Sequence, residues 1–492
     1  MPADFCQSMP EAWLLVGCRG SGVRSFGRLL RQAGHSVIGM DGDQSPITCD
    51  EQFITQLPWT NSPNWSQLNV TRVVASQAIP DDSPLLCSAR REGLTVESLP
   101  VALGSLLSSY SQICVAGTHG KSTTAAMTAW ILNHAGLSPA SFIGAELSTA
   151  WPSPASSGEQ IAVVESCEYR RAFLSLRPTV AVLTGIERDH VDCFRDDNDV
   201  RDAFQSFLER TMIGGVIVAN AECERSLEAA QLANRADVKL VTWSLRQADT
   251  ISAQPATRRI AAAHWTATRL SRNTMASGRH DVQEQFELQT PDGERHLIRL
   301  QTPGRHNVAN ATAAIIAAHA AGVSIDAAAE AMHSFPGLRR RFENRGVVND
   351  VQLIDDYAHH PSAIRETLLT ARGVFPGRRI IAVFEPHQLS RLTALFRDFK
   401  LAVSLADECL VLPVLPARET VGHDECLKQS GLFVRALTNG GARAYLMANL
   451  DQVLSRLDDS ARPGDVIITL GAGRTDWIHD ELTRRIRRHS AA

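Results

Sequence analysis

The 492-residue sequence has no CxxC pair and no ladder of closely spaced cysteines. Its 10 cysteines are scattered, which excludes both the disulfide frame of a small secreted domain and the paired thiols of a structural zinc site. Reduced, mostly buried thiols are expected instead. An excess of one charge is also lacking: 49 Lys and Arg stand against 53 Asp and Glu, a net charge of -4. Such a balance offers no general electrostatic ground for binding nucleic acid or an anionic membrane, so any anion site has to be local. No apolar run has the length of a bilayer-spanning helix, and the longest weakly polar stretch, 311–323, is interrupted by His319. Residues 1–11 carry Asp4 and Glu11 and lack a basic start followed by an apolar stretch, so no secretory signal is read there. A soluble, cytoplasmic protein is the expectation.

What is present is ordinary globular composition, 44% hydrophobic and 21% charged, in a chain long enough for roughly three domains at about 150 residues each. The apolar run Trp13 to Val16 leads into Gly17-Cys18-Arg19-Gly20-Ser21-Gly22 and a helix-like stretch from Val23 to Ala33. A second strand, His35 to Met40, ends in Asp41. Strand, glycine loop, helix and acid-terminated strand are the layout of a nucleotide-binding βαβ unit, although the glycine spacing is GxxGxG rather than GxGxxG.

A stronger signal follows. The strand Gln112 to Ala116 runs into Gly117-Thr118-His119-Gly120-Lys121-Ser122-Thr123-Thr124 and an apolar helix from Ala125 to His134. Small residues let backbone N–H groups curl around phosphates, the helix N-terminus favours negative charge, Lys121 adds a mobile cation and Ser122 can hold magnesium. The chain has Val115 where the full eight-position P-loop pattern begins with glycine, so only the second half of that pattern is met. The strands Gln160 to Val164 and Pro178 to Leu183 are followed by Glu165-Ser166-Cys167-Glu168 and by Glu187-Arg188-Asp189-His190. Acids and histidine at the carboxyl ends of parallel strands, near a phosphate loop, suggest a magnesium-nucleotide site. The stretch 248–301 alternates polar and apolar residues and reads as an antiparallel insertion. A helix is expected over 308–321, a hinge at Phe335-Pro336-Gly337, and a further doubly wound unit with strands at 351–354, 379–384, 408–412 and 465–470.

These separated blocks resemble the Mur ligase family, ATP-dependent enzymes that add amino acids to the peptidoglycan precursor. The likeness rests on Gly17 to Gly22 with Asp41, GTHGKSTT at 117–124, Glu168, Asp189-His190, HNVANA at 306–311, FPGLRRRF at 335–342, DDYAHHP at 355–361 and EPHQLSR at 385–391. The histidine of GTHGKS and the paired histidines of DDYAHHP point to the alanine-adding branch or the relative that recycles murein tripeptide. The resemblance implies an α/β protein of three domains: a Rossmann-like UDP-sugar domain at 1–108, a central P-loop ATPase-like domain with a parallel sheet at 109–336, and a Rossmann-like amino-acid domain at 337–492. ATP and magnesium are implied, with UDP-N-acetylmuramate and L-alanine as substrates. Nucleic acid and membrane are not implied partners, and the sequence says nothing of oligomeric state.

Residue by residue, the resemblance assigns Gly117, Thr118, His119, Gly120, Lys121, Ser122, Thr123, Asn310, Arg341 and Asp356 to ATP. Lys121, Glu168 and His190 are implied as catalytic, and Ser122, Glu168 and His190 as magnesium ligands. Gly20, Ser21, Gly22, Val23, Asp41 and Ser76 are implied for the UDP-sugar, and Tyr357, His359, His387 and Arg391 for the amino acid. The chain departs from the family pattern at Cys167, Arg170, Gly185 and Gln388, which bears on the surroundings of the metal and the carboxylate clamp. Rival readings are the tripeptide-recycling ligase, a nicotinamide-dependent dehydrogenase and a non-catalytic UDP-sugar sensor.

Overall fold

The computed structural model describes residues 11–42, 54–149, 160–189, 193–247, 263–270, 273–274 and 282–490. His190 lies outside these residues. Three sheets follow one another along the chain. The first is wholly parallel, in the order Thr55–Leu57, Ser36–Met40, Ala12–Val16, Arg72–Ala75, Thr95–Ser98. Its strands are short apolar runs of the kind that sheets covered on both faces require. Gly17 turns the chain out of the first strand at a φ of 79°, where a Cβ would lie 2.9 Å from that of Ser76. Only glycine meets both demands.

In the central sheet a parallel path runs Ala140–Phe142, Ile161–Glu165, Ser111–Ala116, Pro178–Leu183, Val216–Asn220, Lys239–Gln247, Ala263–Arg269. Ser111–Ala116 sits inside it and sends alternate residues to opposite faces. Ile113 and Val115 join a cluster with Met127, Trp130, Ile131 and Ile315, while Cys114 and Ala116 join Phe173, Phe204 and Phe207 on the other side. Two helices, Lys121–His134 and Arg305–Ala320, are buried along most of their length in the first of these clusters. Their small, alanine-rich surfaces explain how they lie close together and against the sheet.

Two expectations are corrected here. The stretch 248–301 is not a separate antiparallel insertion: Ala263–Arg269 continues the parallel sheet beside Lys239–Gln247, and antiparallel pairing begins only with Val282–Gln289 and Arg295–Leu300. Residues 248–262 lie outside the described part. The expected helix at 308–321 starts three residues earlier, at Arg305. Gly304 precedes it at a φ of 110°, and its N–H donates to the buried Glu284 carboxylate at 3.1 Å. Glu284 also pairs with Arg269, so a long-range acid rather than local apolar spacing sets the helix start.

The third sheet runs Glu343–Val348, Val351–Asp356, Val466–Leu470, Ile380–Phe384, Glu408–Val411, Ala444–Leu446, antiparallel only in its first pair. The expected doubly wound unit is therefore present, with helices covering apolar clusters on both faces. No helix among the described residues is long and apolar enough to cross a membrane.

Candidate active site

The carboxyl ends of the central strands converge on the loop between Ala116 and Lys121, where open α/β sheets take their ligands. The loop is tightly wound. A Cβ on Gly117 would fall 2.1 Å from Thr184 Oγ1, and one on Gly120 would fall 2.3 Å from Asn310 Oδ1. Thr118 donates its N–H to Gly185 O at 2.8 Å and its hydroxyl to Glu187 O at 3.1 Å, and accepts from Glu187 N at 2.8 Å. Gly185, one of the departures from the family pattern, thus serves the loop through its carbonyl.

Lys121 opens the following helix and folds back on the loop. Its Nζ donates to Gly117 O at 2.5 Å, to Thr118 O at 3.2 Å and to Glu168 at 3.0–3.1 Å. Burial works against the ammonium charge, but Glu168, with Cys167 and Glu165, outweighs it and raises the Lys121 pKa. The cation is therefore secured in place beside a cradle of backbone amides, with Glu168 only 3% exposed beneath it. Ser122 donates to Glu165 Oε1 at 2.6 Å, and the other oxygen of Glu165 accepts from Gly144 N at 2.7 Å. Sequence reasoning noted Glu165 only as one of several acids after a strand. Its role shows through contacts 21 and 43 residues away, for which the sequence has no local signal. Ser122, Glu165 and Glu168 together offer the hard oxygen donors that suit magnesium.

Beside the loop lies a cavity of about 410 Å³ that His119, Gly120, Thr123, Asn310, Arg341 and Asp356 help to line. Six of the residues assigned to ATP are thereby brought together from four separate segments. Asn310 is 7% exposed, accepts from Thr124 Oγ1 at 3.3 Å and packs on Gly120, so it buttresses the loop as well as facing the cavity. Asp356 accepts from Phe342 N at 3.0 Å, Ala358 N at 2.9 Å and Thr367 Oγ1 at 3.0 Å. Burial raises its pKa against the lowering effect of Arg341 and these donors.

The residues assigned to the amino acid form a second group on the C-terminal unit. Tyr357 lies under the Arg340 and Arg341 guanidiniums, at 5.2 and 5.1 Å, and meets the His359 ring edge-on. His359 and His387 have ring centroids 5.4 Å apart. Burial, with Arg391 nearby, pushes both imidazoles down, His387 to about 4, so both are neutral at pH 7. Arg391 is 3% exposed, and its guanidinium reaches Asp189 Oδ1 at 2.9 Å through both Nε and Nη2 and His387 Nδ1 at 3.0 Å through Nη1. The fork expected to meet a substrate carboxylate is thus turned onto Asp189 in this conformation.

At the N-terminal unit, Gly20 caps the helix Ser21–Gln32, and the amides of Ser21, Gly22 and Val23 form its first turn. The Asp41 carboxylate accepts from Arg19 N at 2.9 Å and so fastens the glycine loop, while Ser76 packs against Gly17. Ser21 Oγ would lie 3.4 Å from a Cβ on Gly144, whose N–H is held by Glu165. The two glycine loops therefore face each other across Gly144. Arg170, another departure, donates to Gln77 O at 2.7 Å and joins the same two units.

A glycine loop with an engaged lysine, oxygen donors beside it and a cavity closed by a third unit have the features expected of an α/β protein that takes a nucleoside triphosphate. Comparison with known proteins narrows the class. The family models described as Mur ligase family, catalytic domain, Mur ligase middle domain, and Mur ligase, glutamate ligase domain, match residues 15–111, 115–318 and 340–473. The chain is similar to the UDP-N-acetylmuramate--L-alanine ligase of Renibacterium salmoninarum, 32% identical over 93% of this chain and 92% of the relative. To that of a Roseiflexus species it is 34% identical, over 93% and 96% of the two chains. Among solved structures, the UDP-N-acetylmuramate-alanine ligase of Thermotoga maritima shares the fold with a TM-score of 0.75 at 23% identity, over 97% of this chain and 100% of that one. The murein peptide ligase of Psychrobacter arcticus matches with a TM-score of 0.68 at 25% identity, over 97% and 98%. The chain belongs to the Mur ligase family, whose members are ATP-dependent ligases of three-domain α/β architecture.

Proposed function

We propose that the protein joins L-alanine to the lactyl carboxylate of UDP-N-acetylmuramate at the expense of ATP, in peptidoglycan precursor synthesis in the cytoplasm. The observation that carries this reading is the likeness to alanine-adding ligases over 93% of the chain, combined with the engaged Lys121–Glu168 pair at the phosphate loop. The UDP-sugar belongs to residues 1–108, ATP to 109–336 and the amino acid to 337–492. The diphosphate of the sugar nucleotide lies on the amides of Gly20 to Val23, which points its lactyl end toward Gly144 and the phosphate loop.

The chemistry then follows from charge. A carboxylate oxygen attacks the terminal phosphorus of ATP and ADP leaves, forming an acyl phosphate; like charges repel along this path. Lys121 shifts from the loop carbonyls toward the phosphates and screens that repulsion. Ser122, Glu168 and His190 are the proposed magnesium ligands, with Glu165 orienting the serine, and the ion when bound supplies further neutralisation of the phosphates. Asn310, Arg341 and Asp356 hold the nucleotide in the cavity. The L-alanine amine next attacks the acyl carbon, and the tetrahedral intermediate expels phosphate to leave the amide. Neutral His359 and His387 offer ring nitrogens that accept hydrogen bonds from the incoming amine, and Arg391 meets the alanine carboxylate once it releases Asp189. Phosphate release that requires UDP-N-acetylmuramate and L-alanine together tests the proposal; release with murein tripeptide in place of L-alanine contradicts it.

A further inference from the structure

Outside the residues assigned to magnesium, a nitrogen-rich cluster joins the central and C-terminal units. It consists of His119 from the phosphate loop, Glu187 after the strand Pro178–Leu183, and His360 at the start of the helix Pro361–Val374. Their ligand atoms all lie within 4.8 Å of one another. His119 Nε2 is 3.4 Å and His360 Nδ1 3.7 Å from Glu187 Oε2, and the two rings are tilted at 49° with centroids 4.7 Å apart. Zinc bonds of about 2.0–2.1 Å in a tetrahedron place neighbouring donors about 3.3 Å apart, so these three atoms need only small rotations to share one ion.

The surroundings already orient the donors. His360 is 6% exposed, and its Nε2 lies 3.4 Å from Arg188 O. A proton held there by the carbonyl, the arrangement usual around metal-bound imidazoles, leaves Nδ1 as an acceptor; it takes the Ser362 N–H at 3.4 Å, a long cap that a metal bond at Nδ1 would replace. The Glu187 carboxylate is steadied by the Ser362 hydroxyl. Burial opposes its charge, but His119, Ser362 and His360 hold its pKa down at about 2, while burial pushes His360 down to about 4. At neutral pH the acid is ionised and the buried imidazole neutral, so neither has a proton to lose on binding metal.

We propose that His119, Glu187 and His360 form a site for a borderline divalent transition metal such as Zn2+, which clasps the C-terminal unit to the phosphate loop. Two imidazoles and one carboxylate suit zinc and leave a fourth position for water, whereas magnesium prefers an all-oxygen set. The consequence for turnover rests on the ligase reading: a loaded clasp resists the opening needed to exchange nucleotide. The binding itself does not depend on that reading.

The test is titration of the full chain with chelator-buffered Zn2+, with zinc-edge X-ray absorption on the complex, comparing wild type with Glu187→Gln and His360→Asn. Asparagine puts a side-chain oxygen in place of the capping Nδ1, so the second variant keeps an N-cap at that helix. The expected result is one Zn2+ per chain with nitrogen and oxygen ligands alone, and affinity lowered about 10-fold or more in each variant. Sulfur ligands, no stoichiometric binding, or undiminished affinity in either variant overturns the proposal.

Discussion

Lys121 illustrates how one side chain is prepared before any ligand arrives. Its ammonium is held by two loop carbonyls and by Glu168, beside the loop proposed to take the phosphates. Lys121→Ala removes the cation and leaves Glu168 as a buried carboxylate without its cation, so phosphate release is expected to fall by about 10²-fold or more. A steady-state assay of phosphate release, with circular dichroism to confirm folding, checks this. At Glu385 the sign of a pH effect can be worked out. Burial raises its pKa from 4.5 to about 7, only partly opposed by Arg340 and the Gly473 N–H. The stabilisation from its neutral form is complete below the unfolded value near 4.5 and is lost as pH rises through 7. Glu385→Gln is therefore expected to raise the melting temperature by about 2–4 °C at pH 8 and to change it little at pH 4. Thermal unfolding at the two pH values decides; an equal shift at both contradicts the assignment.

At the scale of elements, the phosphate loop depends on glycine at two places where another chain segment fills the space a Cβ needs. Gly120 has a φ of 80° and faces Asn310 Oδ1, so Gly120→Ala meets both backbone strain and collision. The expected outcome is a loss of stability of about 1–3 kcal/mol with weakened ATP binding, read by denaturant unfolding and nucleotide titration. Asn310→Ala in the same background relieves the collision but not the strain, so it restores only part of the loss.

Much of this arrangement was legible in the sequence because the elements carrying it are local. Ile113 to Ala116 is a continuous apolar run followed by small residues and lysine, and that combination admits little besides strand, phosphate loop and helix. Glu165 and Glu187 were less legible, because an acid after a strand looks the same whether it faces water or holds a loop. Their partners, Ser122 and Gly144 for one, His119 and His360 for the other, are supplied by folding. The start of the helix Arg305–Ala320 was misplaced for the same reason, since Glu284 and Arg269 set it from the neighbouring strands.

At the scale of the whole molecule, the proposed sites lie at the seams between sheets. Arg391 and Asp189, both largely buried, pair across the seam between the central and C-terminal units, and Ser362 and His360 join Glu187 there as well. Replacing Asp189 with Asn leaves the Arg391 charge buried and only partly compensated, which favours separation of the units. Small-angle scattering of Asp189→Asn without ligands is expected to give a larger radius of gyration than wild type; identical curves contradict the view that this pair holds the seam.

The central claim is that three units converge to activate one carboxylate and deliver one amine to it. Phosphate release from ATP and magnesium, measured with UDP-N-acetylmuramate and L-alanine together and with each omitted in turn, tests it most directly. The account predicts turnover only with both present and its loss in Lys121→Ala. Turnover without the UDP-sugar, or none with both substrates while the UDP-sugar still binds, contradicts it.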